Sequence, residues 1–62
     1  MALALNQKLT RVIAGWEINE VRQSGNLMEI AFANGATMRL QLAGATSSVI
    51  IRDGEGTLVY AD

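Results

Sequence analysis

Sixty-two residues are enough for one domain and too few for two. Neither Cys nor His occurs, which excludes disulfides, the usual zinc ligand sets and any nucleophilic site built on a Cys–His or Ser–His pair. Five basic residues stand against six acidic ones, a net charge of −1, and so weak a positive charge does not favour binding to a phosphate backbone.

A chain this short buries only about 60% of the surface that its unfolded form exposes. Domains of this size usually add a disulfide, a metal or a partner subunit. With the first two removed and 50% of the residues hydrophobic, self-association is the expected source of further burial. A homo-oligomer, with a protein as its further partner, is therefore the expected state.

The segment Met1-Ala2-Leu3-Ala4-Leu5 has no basic n-region, and its apolar stretch stops at Asn6. No signal peptide is expected from it. No apolar run approaches the roughly 20 residues that span a bilayer. The expected location is cytoplasmic, with no membrane partner. Residues 2–9 are rich in Ala, Leu, Gln and Lys, all good helix formers. Leu5, Leu9 and Val12 or Ile13 follow helical spacing and predict an apolar face. Leu3 and Leu5 also alternate, so a short strand is the competing reading, and the helix is preferred.

Beyond Thr10 the pattern changes to short β-favouring runs separated by Gly-containing breaks. Five strands are predicted, at about 11–22, 27–32, 36–42, 49–52 and 57–60. The expected fold class is mainly β: a single small five-stranded bent sheet or barrel over 1–62, with a short N-terminal helix.

Parity decides the predicted hairpin registers, because residues directly opposite across a hairpin share a face. A three-residue loop Ala33-Asn34-Gly35, with Gly35 at positive φ, sets Phe32 against Ala36, Ile30 against Met38 and Met28 against Leu40. It also places Glu29 opposite Arg39 on the outer face. A loop Gln23-Ser24-Gly25 would set Trp16 against Phe32 and Ile18 against Ile30. The predicted core is then Trp16, Ile18, Met28, Ile30, Phe32, Met38, Leu40 and Leu42. In the last hairpin a four-residue loop Asp53–Gly56 puts Val49, Ile51, Leu58 and Tyr60 on one face. Ile50 then faces Val59 on the other face. That second apolar face is expected to be covered by the helix or by another subunit, and Val49, Ile50, Leu58 and Val59 are the candidate subunit interface.

Few residues suggest chemistry. Lys8 is the sole lysine and the only partner available for a Ser–Lys pair. Glu17 and Glu20 read as solvated charge. Asp53-Gly54-Glu55-Gly56 lacks the third Gly or Lys-Ser/Thr of a nucleotide loop and the acidic spacing of a calcium loop, so it reads as a turn. Thr46-Ser47-Ser48 reads as a polar connection, and Met28 and Met38 as core filling. No enzyme activity, cofactor or metal is expected.

The order of elements, a short helix and then five strands, resembles the Sm-like branch of SH3-like small barrels. Met28–Leu42 looks like the first half of an Sm domain. Ile51-Arg52-Asp53-Gly54 followed by Leu58-Val59-Tyr60 is similar to its second signature, an apolar-Arg-Gly turn leading into the last strand. The resemblance implies rings in which the last two strands pair between subunits, and an RNA contact at Arg52. Arg39, Arg52 and Tyr60 are the candidate RNA contacts. The charge balance leaves an interaction module that binds a macromolecular partner as the first reading and RNA binding as the alternative.

Overall fold

In the computed structural model, which describes residues 3–42 and 48–62, the single helix α1 spans Gln7–Ile13. It begins later than the 2–9 stretch predicted because Asn6 acts as its N-cap, the Asn6 side chain accepting a bond from the Leu9 N–H at 3.0 Å. Residues 11–13, assigned to a strand on sequence, are helical. The helix stops where Gly15 adopts φ +79° just beyond the C-cap Ala14, the usual place for a glycine that ends a helix. Leu9, Val12 and Ile13 face the core as their spacing predicts, whereas Leu5 precedes the helix and is exposed.

Five antiparallel strands follow: β1 (Ile18–Ser24), β2 (Leu27–Phe32), β3 (Thr37–Gln41), β4 (Ser48–Arg52) and β5 (Leu58–Ala61). They form one bent, unclosed sheet in sequence order, with β1 and β5 as its edges. The β2–β3 hairpin has the predicted register. Met28 faces Leu40, Glu29 faces Arg39 and Ile30 faces Met38. Gly35 sits at φ +90° in the three-residue loop, and the Asn34 side chain accepts from the Ala36 N–H at 2.9 Å.

The other two hairpins depart from the predicted registers. Between β1 and β2 the loop has two residues, Gly25-Asn26, with Ser24 opposite Leu27. Gly25 has φ +57° and Asn26 does not have positive φ, the pattern of a Gly-first type II′ turn. Val21, not Ile18, therefore faces Ile30. A bulge between Ile18 and Glu20 then brings Ile18 opposite Phe32. In the last hairpin Asp53 and Thr57 close a three-residue loop, Gly54-Glu55-Gly56, with Gly56 at φ +84°. Asp53 Oδ1 holds this turn by accepting from the N–H groups of Glu55 and Thr57, both at 2.9 Å. A further irregularity leaves Arg52 opposite Leu58, Ile51 opposite Tyr60 and Ile50 opposite Ala61. Ile50 and Val59 are not a pair.

One cross-strand row, Val21–Ile30–Met38–Ile51–Tyr60, crosses the whole inner face. Burial is deepest at Ile51 (0% exposed), which with Met38, Phe32 and Ala36 makes the buried core. Trp16 packs edge-on against Phe32, with ring centroids 5.0 Å apart, and Ile30, Leu40, Val49 and Tyr60 pack around the cluster. Three predicted core residues, Ile18, Met28 and Leu42, lie outside it. Ile18 is 56% exposed and Leu42 47%, because the helix covers only part of the inner face: α1 approaches β5, and none of its Cα atoms lies within 8 Å of β1.

Candidate functional site

Alternation along the strands sends Glu29, Arg39, Ile50 and Arg52 to the outer face, away from the helix. Two rows cross that face: Arg22–Glu29–Arg39–Ile50–Ala61, and Glu20–Ala31–Thr37–Arg52–Leu58. Where they adjoin, Glu29, Thr37, Arg39, Ile50 and Arg52 line a shallow depression of about 150 Å³. A second hollow of about 190 Å³ lies beside it, lined by Arg22, Gln23, Ser24, Leu27 and Glu29.

The two arginines of the first depression differ in their partners. Arg39 donates to Glu29 Oε2 at 3.1 Å, an exposed cross-strand pair of the kind worth well under 1 kcal/mol. Arg52 donates from Nη1 to the Gly56 carbonyl at 3.2 Å, and among the described residues it forms no ion pair with a carboxylate. A guanidinium presents a planar fork of donors suited to carboxylate or phosphate oxygens. Arg52 can therefore meet an anionic group on a partner, with Thr37 supplying a hydroxyl and Ile50 an apolar contact. Such an arrangement offers hydrogen bonds and an apolar contact to a bound group.

Of the three candidate RNA contacts, the fold brings Arg39 and Arg52 together and separates Tyr60 from them. Tyr60 lies on the inner face opposite Ile51, and its hydroxyl accepts from Asn6 Nδ2 at 3.1 Å. It links the start of the helix to the last strand, and no stacking platform adjoins the arginines.

The candidate subunit interface is also divided. Val49 and Ile50 are half-buried, on opposite faces of β4. That strand is paired on both sides, to β3 and to β5, so it offers no free edge, and the inter-subunit pairing implied by the Sm-like resemblance would require the β4–β5 hairpin to open. Leu58 (49% exposed) and Val59 (44%) lie on β5, whose outer edge is open. The helix does not cover the Ile50 face, since it packs on the inner one.

A second feature was missed by the sequence reading. At the β1 end of the inner face Ile18 and Val21 are 56% and 53% exposed. They continue the rows of Phe32 and Ile30 but have no element above them. The signal was present in Gly25-Asn26, since a two-residue turn there pairs Val21 with Ile30. The expected three-residue loop Gln23-Ser24-Gly25 hides this pairing by setting Ile18 against Ile30.

Asp53–Gly56 is a self-capped turn, as its composition predicts, and Thr46 and Ser47 lie outside the described residues. Among the described residues no three acidic side chains gather closely enough to hold a metal ion, and no helix is long and apolar enough to cross a membrane. No protein-family model matches the chain, no curated protein matches its sequence, and no solved structure matches its fold.

Proposed function

We propose that this chain is a non-catalytic interaction module that associates with copies of itself and binds a macromolecular partner, acting in the cytoplasm. The distribution of apolar side chains carries this reading. Among the described residues only Phe32, Ala36, Met38 and Ile51 are buried, while Leu3, Leu5, Ile18, Val21, Leu27, Leu42, Leu58 and Val59 are exposed large hydrophobics. Scattered exposed leucines are ordinary. Exposure of eight of the sixteen Leu, Ile and Val residues of so small a chain is not.

The overall dimensions point the same way. The chain exposes 4823 Å², whereas a folded monomer of 6.7 kDa exposes about 3,900 Å². The excess of about 900 Å² is close to the ~800 Å² that each partner loses in an interface of standard size. The radius of gyration, 12.0 Å, likewise exceeds the ~10.5 Å of a compact domain of this length.

Light scattering behind size exclusion at micromolar concentration is expected to give at least twice the 6.7 kDa monomer mass. A single monomeric species with high thermal stability would refute self-association.

Sm-like RNA binding is the second reading. It is favoured by Arg39 and Arg52 lining one depression, and weakened by the placement of Tyr60 on the opposite face. A single chain makes few phosphate contacts, so useful affinity would require an oligomer that repeats Arg52 along one surface.

A further inference from the structure

We infer that copies of this chain join head to tail, with the apolar segment Leu3–Leu5 of one copy lying on the open inner face of β1, at Ile18 and Val21, of the next. This rests on the self-association proposed above and adds which surfaces meet.

Both halves of the contact are exposed apolar surfaces of the single chain. Leu3 is 98% exposed and Leu5 73%, so neither packs on its own sheet. Ile18 and Val21, over half exposed, extend the core rows beyond the reach of the helix. The segment leaves the molecule at the wrong edge to close this gap itself. Asn6 is held to Tyr60 of β5 at 3.1 Å, and Tyr60 and Val21 are the two ends of one five-strand row. Four inter-strand spacings amount to about 19 Å along the sheet, whereas three extended residues reach about 10 Å. Another copy, with its β1 edge set beside the first copy's β5 edge, brings the segment within reach.

The two surfaces are different patches at opposite edges, so the contact is heterologous. It leaves a complementary pair of patches free on every incomplete assembly, and closes when the copies complete a ring. Covering two leucines and the open end of the core removes apolar surface that the monomer leaves in water, the main driving force for association.

A heterologous contact makes complementation the test. Leu3→Asp/Leu5→Asp damages the segment and keeps the acceptor; Val21→Glu damages the acceptor and keeps the segment. Each variant alone is expected to fall from the wild-type mass to that of the monomer, with its far-UV circular dichroism retained. An equimolar mixture is expected to form a 1:1 heterodimer, because one intact segment and one intact acceptor remain. Because the chain has no native cysteine, a second measurement is direct: Leu5→Cys mixed with Val21→Cys should give a disulfide-linked heterodimer in preference to either homodimer.

A wild-type monomer would overturn self-association itself. A wild-type oligomer that survives both sets of substitutions, or a mixture that stays monomeric while no mixed disulfide forms, would overturn this arrangement and leave self-association standing. A Leu5→Cys/Val21→Cys chain that closes into an internally linked monomer would also overturn it, by showing that the segment folds back on its own β1.

Discussion

Substituting Gly35 separates backbone conformation from packing, because a second glycine beside it serves as the control. Gly35 holds φ +90°, and a Cβ built there would lie 3.4 Å from the Gly54 Cα. Gly54 lies outside the positive-φ region, and a Cβ there would meet Asn34 O and Gly35 no closer than 3.7 Å. An L-residue held at left-handed φ costs about 1–2 kcal/mol. Replacing Gly by Ala also narrows the unfolded ensemble, which returns about 0.4–1 kcal/mol. Gly35→Ala is therefore expected to destabilise by ~1 kcal/mol, and Gly54→Ala to be neutral or stabilising by a few tenths. With a urea m-value near ~1 kcal/mol/M for so small a chain, the Gly35→Ala midpoint should fall by about 1 M, and its Tm by about 4–8 °C. Trp16, the sole tryptophan, packs edge-on against Phe32 and reports unfolding by fluorescence. Protein concentration must be matched, because association raises apparent stability. Equal midpoints for the two variants, or a Gly35→Ala chain as stable as wild type, would refute the three-residue loop and the register that it sets.

Ile51 is fully buried at the centre of the core row, and Ile51→Ala is expected to cost about 2–5 kcal/mol. A core of this size supplies only about 3–5 kcal/mol in total, so circular dichroism should show a largely unfolded chain at 25 °C; a cooperative melt near the wild-type temperature would contradict the assigned core. For the RNA reading, no sub-micromolar binding to generic single-stranded RNA is expected at any salt between about 50 and 200 mM. Tight, salt-sensitive binding that disappears in Arg52→Ala, with the oligomer mass and circular dichroism unchanged, would place RNA binding first.

The middle hairpin was legible in the sequence because two independent constraints agree there. Gly35 marks the one place in its loop where φ must be positive, and only a three-residue loop keeps Met28, Ile30 and Phe32 opposite other apolar residues. In the outer hairpins the constraints conflict. A two-residue Gly25-Asn26 turn sets Gln23 against Met28, which parity rejects. The fold accepts it because the β1 end of the inner face has no cover, and a polar residue there stays in water. In the last hairpin Asp53, not a residue of the loop proper, closes the turn with its side chain, and the extra residue near Val59 is absorbed as an irregularity that composition does not announce. The Glu29–Arg39 pair of the outer face follows from the middle register, whereas the nearness of Arg39 and Arg52 depends on the pairing of β3 with β4. Tyr60 joins them in the sequence as an aromatic side chain, but the fold places it on the inner face, opposite Ile51.

What the sequence determined by itself is what local chemistry decides: mainly β architecture with one short N-terminal helix, the positions of β2 to β5 to within a residue or two, and the lack of Cys and His chemistry. Helix spacing at Leu9, Val12 and Ile13 and alternation in β2 and β3 are short-range signals, and they survive into the fold. The tertiary structure alone decided where the helix lies. Capped by Asn6 and tied to Tyr60, it approaches the sheet at β5 and leaves β1 open. That choice makes Ile51 the centre of the core and Ile18 a surface residue, though both are isoleucines on the same face. Burial of a side chain depends on what packs above it, and a periodicity of two residues specifies only the direction in which it points.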